Sequence, residues 1–274
     1  MELWSSTPIS KRTLTNAVIW TLAVAFLALA FSLLAPRDGA IGQTKSDEMP
    51  EEKGIEPIYP ADRECSELTS LYLSWIDVDG SRRDEQHTGV DGGTIGDPIL
   101  APAGGVVIAV WRADWSWGPE GALLIRHTRE DVGLQDGPPY YYSEFDHLRY
   151  DQIRSIPVGK KVNRGDRLAT VSRPGGDPQY PPEVHWEVAS IEDESATEWA
   201  ENKFGAQYWK NTKGKLVDPL SLFSLGADAR TDGKVVIVPF DRKRDYSSYR
   251  GFTYILPCPM KKKARGSDRQ NRQR

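Results

Sequence analysis

Residues 183–188 read EVHWEV, and polar and apolar side chains alternate along them without a break. Successive side chains of a β-strand point to opposite faces, so the alternation predicts a strand whose valines and Trp186 face the core. Glu183, His185 and Glu187 then share the other face, which opens on a cleft or on solvent. The strand therefore presents one histidine between two carboxylates.

The segments around this strand have the same short β character. Strand-like runs separated by Gly and Pro turns lie at residues 99–101, 106–111, 122–127, 140–145, 168–171 and 234–240. Only residues 195–204 have a helical pattern, and it is short. The sequence therefore predicts a mainly β fold, an antiparallel sheet or sandwich, with one short helix.

The composition fits one globular domain with flanking segments. The chain has 274 residues, of which 39% are hydrophobic, and its net charge is −4. This charge gives no reason to expect nucleic acid as a partner. Two cysteines are too few for a disulfide scaffold and lack the spacing of a zinc ribbon.

An apolar run near the N-terminus predicts a membrane anchor. Residues 17–35 carry no charge and, at about 1.5 Å per helical residue, are long enough to span a bilayer. Lys11 and Arg12 precede the run and acidic residues follow it, so residues 1–16 are expected in the cytoplasm. A cleaved signal peptide is the alternative, although Pro36 disfavours cleavage directly before it. We expect a single-pass protein of the cytoplasmic membrane, with its main domain on the periplasmic or extracellular side.

The rest of the chain divides by composition. Residues 36–61, rich in Pro, Gly and acidic side chains, predict a flexible spacer. Residues 62–225 are the predicted main domain and residues 226–259 a C-terminal extension. Residues 260–274 are basic and are expected to be disordered, or alternatively to be attracted to anionic wall polymers or lipid headgroups.

The two cysteines lie at opposite ends of the predicted domain. Cys65 is near its start and Cys258 is in the C-terminal extension. Export would place both in an oxidising compartment, where pairing is plausible. We therefore hypothesise a disulfide that ties the C-terminal segment to the N-terminal edge of the domain. Two separate buried thiols are the alternative.

The aromatic residues and one histidine carry weaker expectations. Trp111, Trp115 and Trp117 are expected in one loop between two strands, either packed in the interior or lining a groove for an extended peptide or sugar. His127 ends an apolar strand and is expected to be structural.

Three of the four histidines occupy contexts that fit one metal site. His87 and Asp91 lie in the segment HTGVD, His185 lies on the strand described first, and His147 lies near the end of another strand. Two imidazoles and one carboxylate, from His87, Asp91 and His185, suit tetrahedral Zn²⁺ with a fourth position for water. Taken singly, each residue is better explained as a solvated or hydrogen-bonded side chain.

In combination and in this order, the segments resemble the lysostaphin-like zinc endopeptidases of bacterial cell walls. The matches to the motifs of that family are HTGVD (87–91), GDPILAPAGGV (96–106), FDHL (145–148), the hairpin at 158–165, EVHWE (183–187) and Asp218-Pro219. The resemblance covers residues 86–223. It implies a lysostaphin-like peptidase domain that hydrolyses the peptide cross-links of peptidoglycan.

The resemblance also implies roles for single residues. His87, Asp91 and His185 correspond to the zinc ligands, and His147 to a histidine that polarises the scissile carbonyl or stabilises its oxyanion. Glu183 stands where the family has a histidine that helps to activate the water. A carboxylate can act as that base, as glutamate does in other zinc peptidases. Glu183 could instead bind zinc as a fourth ligand and close the site.

Two other functions fit parts of the sequence. A zinc-binding but catalytically degenerate member of the same family would act as a regulator of cell-wall hydrolases, and Glu183 favours this alternative. A membrane-anchored adaptor with a lipoyl-like barrel would suit the hairpin at 158–165. That class needs long coiled-coil heptads, which the sequence lacks, and it leaves the segments around His87 and His185 unexplained.

Overall fold

The structure, a computed structural model, describes residues 54–115, 118–195, 197–201, 207–223, 230–231 and 233–262. The described residues form short strands, two single-turn helices and two 3-10 turns. The strands are β1 (Glu56–Ile58), β2 (Leu68–Ser70), β3 (Val90–Gly92), β4 (Pro98–Leu100), β5 (Gly105–Trp115), β6 (Gly118–Thr128), β7 (Tyr140–Leu148), β8 (Lys161–Val162), β9 (Arg167–Thr170), β10 (Val184–Ile191), β11 (Thr197–Glu201), β12 (Gln207–Asn211), β13 (Lys215–Val217), β14 (Arg230–Thr231) and β15 (Lys234–Val236). The helices are α1 (Arg129–Val132) and α2 (Tyr150–Ile153), and the 3-10 turns are Pro174–Gly176 and Pro219–Leu222.

The main sheet is antiparallel throughout. Its strands follow the order β2-β3-β10-β7-β6-β5-β8, and β13 also pairs with β10. Strands β4 and β9 form a separate ribbon, as do β11 and β12, and β1 joins a small sheet with β15 and β14. The predicted mainly β, antiparallel fold is therefore confirmed.

One face of the main sheet packs on the principal core. Phe145 of β7 and Trp186 of β10 are fully buried there, as the alternation along residues 183–188 predicts. Phe252 and Tyr254, from the C-terminal part of the chain, are equally buried and belong to the same cluster. Burying an apolar side chain of this size stabilises the folded state by about 1.5–3 kcal/mol.

The opposite face carries a smaller apolar cluster and, beside it, a polar groove. Trp111, Leu124 and Tyr142 are buried in this cluster, and Trp209 packs against it. The prediction that Trp111 and Trp115 lie in a loop is wrong, because both lie within β5, and Trp111 packs on the sheet. Trp117 lies outside the described residues.

The predicted helix at residues 195–204 is also wrong. Residues 197–201 form β11, which pairs with β12 so that Trp199 lies opposite Trp209. Helix propensity in so short a segment amounts to a few tenths of a kcal/mol per residue. A cross-strand aromatic pair and the backbone ladder of a hairpin outweigh it.

The two ends of the described chain are joined to each other. Strand β1, which lies in the predicted spacer, pairs in parallel with β15. Cys65 and Cys258 form a disulfide, as hypothesised. These links place segments from both flanks of the predicted domain in one folded unit.

His127 is fully buried and has the structural role expected of it. Its Nδ1–H donates to the carbonyl oxygen of Gly104 at 2.6 Å, and its Nε2 accepts from the Ser143 hydroxyl at 3.0 Å. Burial lowers the pKa of His127 to about 4, so the ring is neutral at physiological pH.

The predicted transmembrane helix, residues 17–35, lies outside the described residues, as does most of the basic C-terminal tail. Within the part of the chain that is described, no helix is long and apolar enough to cross a bilayer.

Candidate metal centre

Strand pairing brings the three predicted zinc ligands together. Strand β10 lies between β3 and β7, and His185 is directly opposite Asp91 on one side and Asp146 on the other. His87 lies four residues before Asp91, in the loop that enters β3. His87 and His185 therefore meet although 98 residues separate them in sequence.

The three side chains converge on one point. His87 Nε2 lies 3.0 Å from Asp91 Oδ1 and 3.0 Å from His185 Nδ1, and the last two atoms are 2.8 Å apart. Two nitrogens bound to one tetrahedral zinc ion lie about 3.3 Å apart, so this spacing fits a metal site. Among the described residues, only these three form a group of ligand atoms close enough to hold an ion.

The tautomer of His87 supports the same conclusion. Its Nδ1–H donates to the carbonyl oxygen of Leu71 at 3.0 Å, which leaves a lone pair on Nε2. That lone pair faces the carboxylate oxygen of Asp91 in a buried position. Two acceptors this close repel each other unless a proton or a cation lies between them, and a bound metal ion would be such a cation. A backbone carbonyl on the far nitrogen is the usual way in which proteins orient a metal-binding histidine.

The other two ligands are also held from behind. Arg83 donates to Asp91 Oδ2 at 2.8 Å, which leaves Oδ1 directed at the two histidines. Burial alone would raise the pKa of Asp91, but hydrogen bonds and charge from the two histidines lower it well below the usual range. His185 Nε2 lies 3.9 Å from a carboxylate oxygen of Glu187. These contacts fix the ligand orientations before any metal binds.

The glycine of HTGVD has a packing role. A Cβ atom at Gly89 would collide with the carbonyl oxygen of Trp186 and would lie 2.9 Å from Cε1 of His185. A larger residue would therefore push β10 away from the loop that carries His87. The motif needs glycine because its backbone packs directly on the strand that supplies another ligand.

His147 lies beside the three ligands, at the end of β7. Its ring centroid is 6.2 Å from that of His185, and its backbone has a φ of 60°. This left-handed conformation is uncommon outside glycine and often marks a functional site. Nδ1–H donates to Glu120 Oε2 at 2.8 Å, while the other oxygen of Glu120 accepts from the Gly175 N–H at 2.6 Å.

The charge state of His147 follows from these contacts. Burial lowers the pKa of His147, but the hydrogen bond and negative charge of Glu120 outweigh burial and raise it to about 9. The imidazole is therefore protonated at neutral pH, and its Nε2–H is a hydrogen-bond donor on the side of Glu183, 3.9 Å from that carboxylate.

Glu183 completes the group. Its Oε1 lies 3.9 Å from His147 Nε2, and its buried Oε2 accepts no hydrogen bond from the described residues. Burial, with help from the charge of Asp91, raises the pKa of Glu183 to about 7. A carboxylate that titrates near neutrality suits general base catalysis.

The structure therefore brings together all five side chains that the sequence singled out. It adds Glu120 and Arg83, which no sequence motif indicates. Glu120 lies near the start of β6, 27 residues before His147, and Arg83 lies in a charged stretch with no motif. Local sequence offers no signal for either residue, since each role depends on how the strands pair.

A groove of about 870 Å³ extends from the metal centre across the polar face of β7 and β10. Its walls come from residues 77–88, from the segment 174–181 and from strand β12. Its volume lies in the range of ligand-binding clefts.

No protein-family model matches the chain, and no protein with a curated description matches it. The solved structures that resemble it include a zinc-containing peptidase from Vibrio cholerae, which is 25% identical over 51% of this chain and 38% of that chain, with a TM-score of 0.34. LytU is 21% identical over 57% of this chain and 83% of its own, with a TM-score of 0.35. The catalytic domain of lysostaphin from Staphylococcus simulans is 18% identical over 58% and 90%, with a TM-score of 0.32.

The chain is similar to lysostaphin-like peptidases. It spans only 38% of the Vibrio cholerae peptidase. All three TM-scores lie below 0.5.

Proposed function

We propose that this protein is a membrane-anchored zinc metalloendopeptidase that hydrolyses peptide bonds of peptidoglycan cross-links. The observation that carries the proposal is the convergence of His87, Asp91 and His185 at one buried point, with His147 and Glu183 on its groove side. Three protein ligands leave the fourth position of a tetrahedral zinc free, which is the arrangement of catalytic zinc sites.

The chain's own residues divide the work of peptide hydrolysis. Bound zinc would supply a water of lowered pKa and would polarise the substrate carbonyl. Glu183 accepts the proton of the attacking water and passes it to the leaving amine. His147, protonated and held by Glu120, donates its Nε2–H to the carbonyl oxygen as negative charge develops there.

The location of the domain is part of the same proposal. The apolar run at residues 17–35 would anchor the chain in the cytoplasmic membrane. The disulfide between Cys65 and Cys258 supports a domain on the periplasmic or extracellular side, because cytosolic thiols are kept reduced. Peptidoglycan is the polymer that a peptidase on this side would meet.

The test is to incubate the full-length protein with isolated peptidoglycan, with and without a zinc chelator. New free amines should appear only in the presence of metal. The wild type should bind about one zinc ion per chain. Replacing His87, Asp91 or His185 by alanine should lower zinc content and cleavage together. Normal zinc content in all three variants would show that the ligand assignment is wrong.

A second function is favoured by one residue, Glu183, which replaces the histidine that the family motif has. The alternative is a zinc-binding regulator of wall hydrolases without activity of its own. Glu183→Gln should reduce cleavage by about 10²–10⁴-fold with zinc content unchanged, since it removes a general base. Glu183→His should keep or raise activity. An inactive wild type with an active Glu183→His variant would establish the regulator instead, and zinc loss in Glu183→Gln would make Glu183 a fourth ligand.

A further inference from the structure

One wall of the groove is a compact loop, residues 75–83, that backbone hydrogen bonds close on itself. The N–H of Arg83 donates to the carbonyl oxygen of Trp75 at 2.8 Å, and the N–H of Asp77 donates to that of Ser81 at 2.9 Å. Asp77 and Arg83 are among the side chains of this loop that line the groove. We call residues 75–83 the wall loop.

The base of the wall loop is fixed next to a candidate zinc ligand. The N–H of His87 donates to the carbonyl oxygen of Ser74 at 3.0 Å, and the N–H of Leu73 donates to the carbonyl oxygen of His87 at 2.8 Å. These bonds hold the base of the loop, so the position of its tip depends on side-chain contacts.

The tip of the wall loop, residues 77–81, is linked to the rest of the fold through Arg83. Within the described part of the chain, the hydrogen bonds and ion pairs of the tip go to other members of the loop. One of these is the ion pair between Asp77 and Arg83, and Arg83 alone of the two extends beyond the loop, to Asp91 and Ser70.

A single nitrogen of Arg83 makes all of these side-chain contacts. Its Nη2 lies 2.9 Å from Asp77 Oδ1, and it donates to Asp91 Oδ2 at 2.8 Å and to the Ser70 hydroxyl at 3.3 Å. The side chain of Asp91 is 4% exposed and that of Asp77 is 42% exposed. The guanidinium group therefore joins a surface carboxylate in the wall to a buried carboxylate at the metal centre.

We propose that Arg83 is a positioning residue that fixes one wall of the groove, through Asp77, and the metal ligand Asp91 at the same time. The inference rests on the proposed function, because the wall can place a substrate only if the groove holds one. A planar guanidinium group suits this role, since its nitrogens have fixed directions. The wall loop is then an element of substrate placement that is tied to the metal centre.

The first arm of the test is Asp77→Asn in the full-length protein, which removes the ion pair and leaves Arg83 on Asp91. Amide hydrogen exchange in residues 77–83 should become about 2- to 5-fold faster, because a partly exposed ion pair contributes little. KM for soluble cross-linked peptide fragments of peptidoglycan should rise by a similar factor of about 2 to 5. The value of kcat and the affinity for zinc should stay at the wild-type level.

The second arm is Arg83→Gln, which should affect the wall and the metal together. Zinc affinity, measured by competition with a chelator, should fall about 10- to 100-fold, as it does when the group behind a metal ligand is removed. The visible absorption of the Co²⁺-substituted protein reports ligand geometry and should change in Arg83→Gln but not in Asp77→Asn. The wall loop should also exchange faster, and adding Asp77→Asn should give no further increase, since both changes remove the same contact.

Glu130→Gln is the matched control. It also removes an ion pair between an exposed carboxylate and an arginine, but on α1, outside the groove. Every measurement should stay at the wild-type level in this variant. Should Arg83→Gln fail to fold, Arg83→Lys keeps the positive charge beside Asp91 without the planar group, and it should show the same pattern in smaller measure.

Wild-type zinc affinity and an unchanged Co²⁺ spectrum in folded Arg83→Gln or Arg83→Lys would overturn the proposal. Wild-type exchange and KM in Asp77→Asn would overturn it as well, because Arg83 would then serve Asp91 alone. The proposed function fails separately. If the wild type cleaves no peptidoglycan, the hydrolase is refuted, and zinc affinity, the Co²⁺ spectrum and hydrogen exchange still decide the role of Arg83.

Discussion

Glu120→Gln should disable His147 without disturbing the metal ligands. Glu120 is 2% exposed and contacts His147 through one carboxylate oxygen and the Gly175 N–H through the other. Glutamine keeps the shape and can still accept from Gly175. Its amide N–H would then face Nδ1 of His147, which can accept that hydrogen bond only when it is deprotonated.

The size of the effect follows from the opposing contributions at His147. Burial lowers its pKa, and Glu120 is the main reason why the pKa is nevertheless raised to about 9. Without Glu120, the effect of burial is opposed by the charges of Glu183 and Asp146, and the pKa should fall to its ordinary value of about 6.5 or below. At pH 8 the protonated fraction would drop from about nine-tenths to about 3% or less, and kcat/KM should fall about 30-fold or more if the protonated ring is required.

The assay is the pH dependence of metal-dependent amine release from peptidoglycan by wild type and variant. A group that must be protonated gives activity that is lost as pH rises through its pKa. The alkaline limb should therefore move from about pH 9 to about pH 6.5 or below, and the deficit should shrink at pH 6. Zinc content should stay at the wild-type level, and Glu130→Gln serves as a control. An unchanged alkaline limb in Glu120→Gln would refute the role given to His147.

Three further changes test other parts of the structure. Gly89→Ala should lower zinc content severalfold, because the added methyl group would displace the ring of His185. Metal analysis that finds the wild-type zinc content in folded Gly89→Ala protein would contradict this. Replacing Cys65 and Cys258 by serine should cost up to about 5 kcal/mol of stability for a separation of 193 residues, as measured by urea unfolding; two free thiols in unreduced, denatured wild type would rule the disulfide out. The pKa of His127 is lower in the folded state, so the unfolded chain binds more protons and stability should fall by up to about 3 kcal/mol as pH drops from 6.5 to 4. In metal-free protein, the dependence of unfolding free energy on pH should be flatter in His127→Gln than in wild type. An equally steep dependence in both proteins would contradict this.

The candidate metal ligands could be predicted because two local patterns, strand alternation and short spacing along the chain, indicate them. Alternation along residues 183–188 places His185 on the exposed face, and the structure has this arrangement. His87 and Asp91 were recognisable as a pair because a loop entering a strand keeps them close. The cysteine pair followed from the expected compartment alone, and it too is present.

Features that depend on strand register could not be predicted. Glu120 meets His147 only because β6 pairs with β7, and no local pattern encodes that pairing. The position of Glu144 opposite Glu187 could not be predicted from the sequence, because it too depends on how two strands pair. The helix expected at residues 195–204 failed because the partner strand β12, not the segment itself, determines its conformation.

The place of Phe252 and Tyr254 in the principal core sets the order of events when the chain is made. Both are fully buried, Phe252 lies 5.8 Å from Trp186, and Cys258 closes its disulfide a few residues later. Synthesis proceeds from the N-terminus, so the central strand lacks part of its cover until residues 252–254 have been made. Contacts between the two ends of a chain form slowly. A nascent chain that has not yet reached residue 252 would therefore leave part of the core face of β10 uncovered.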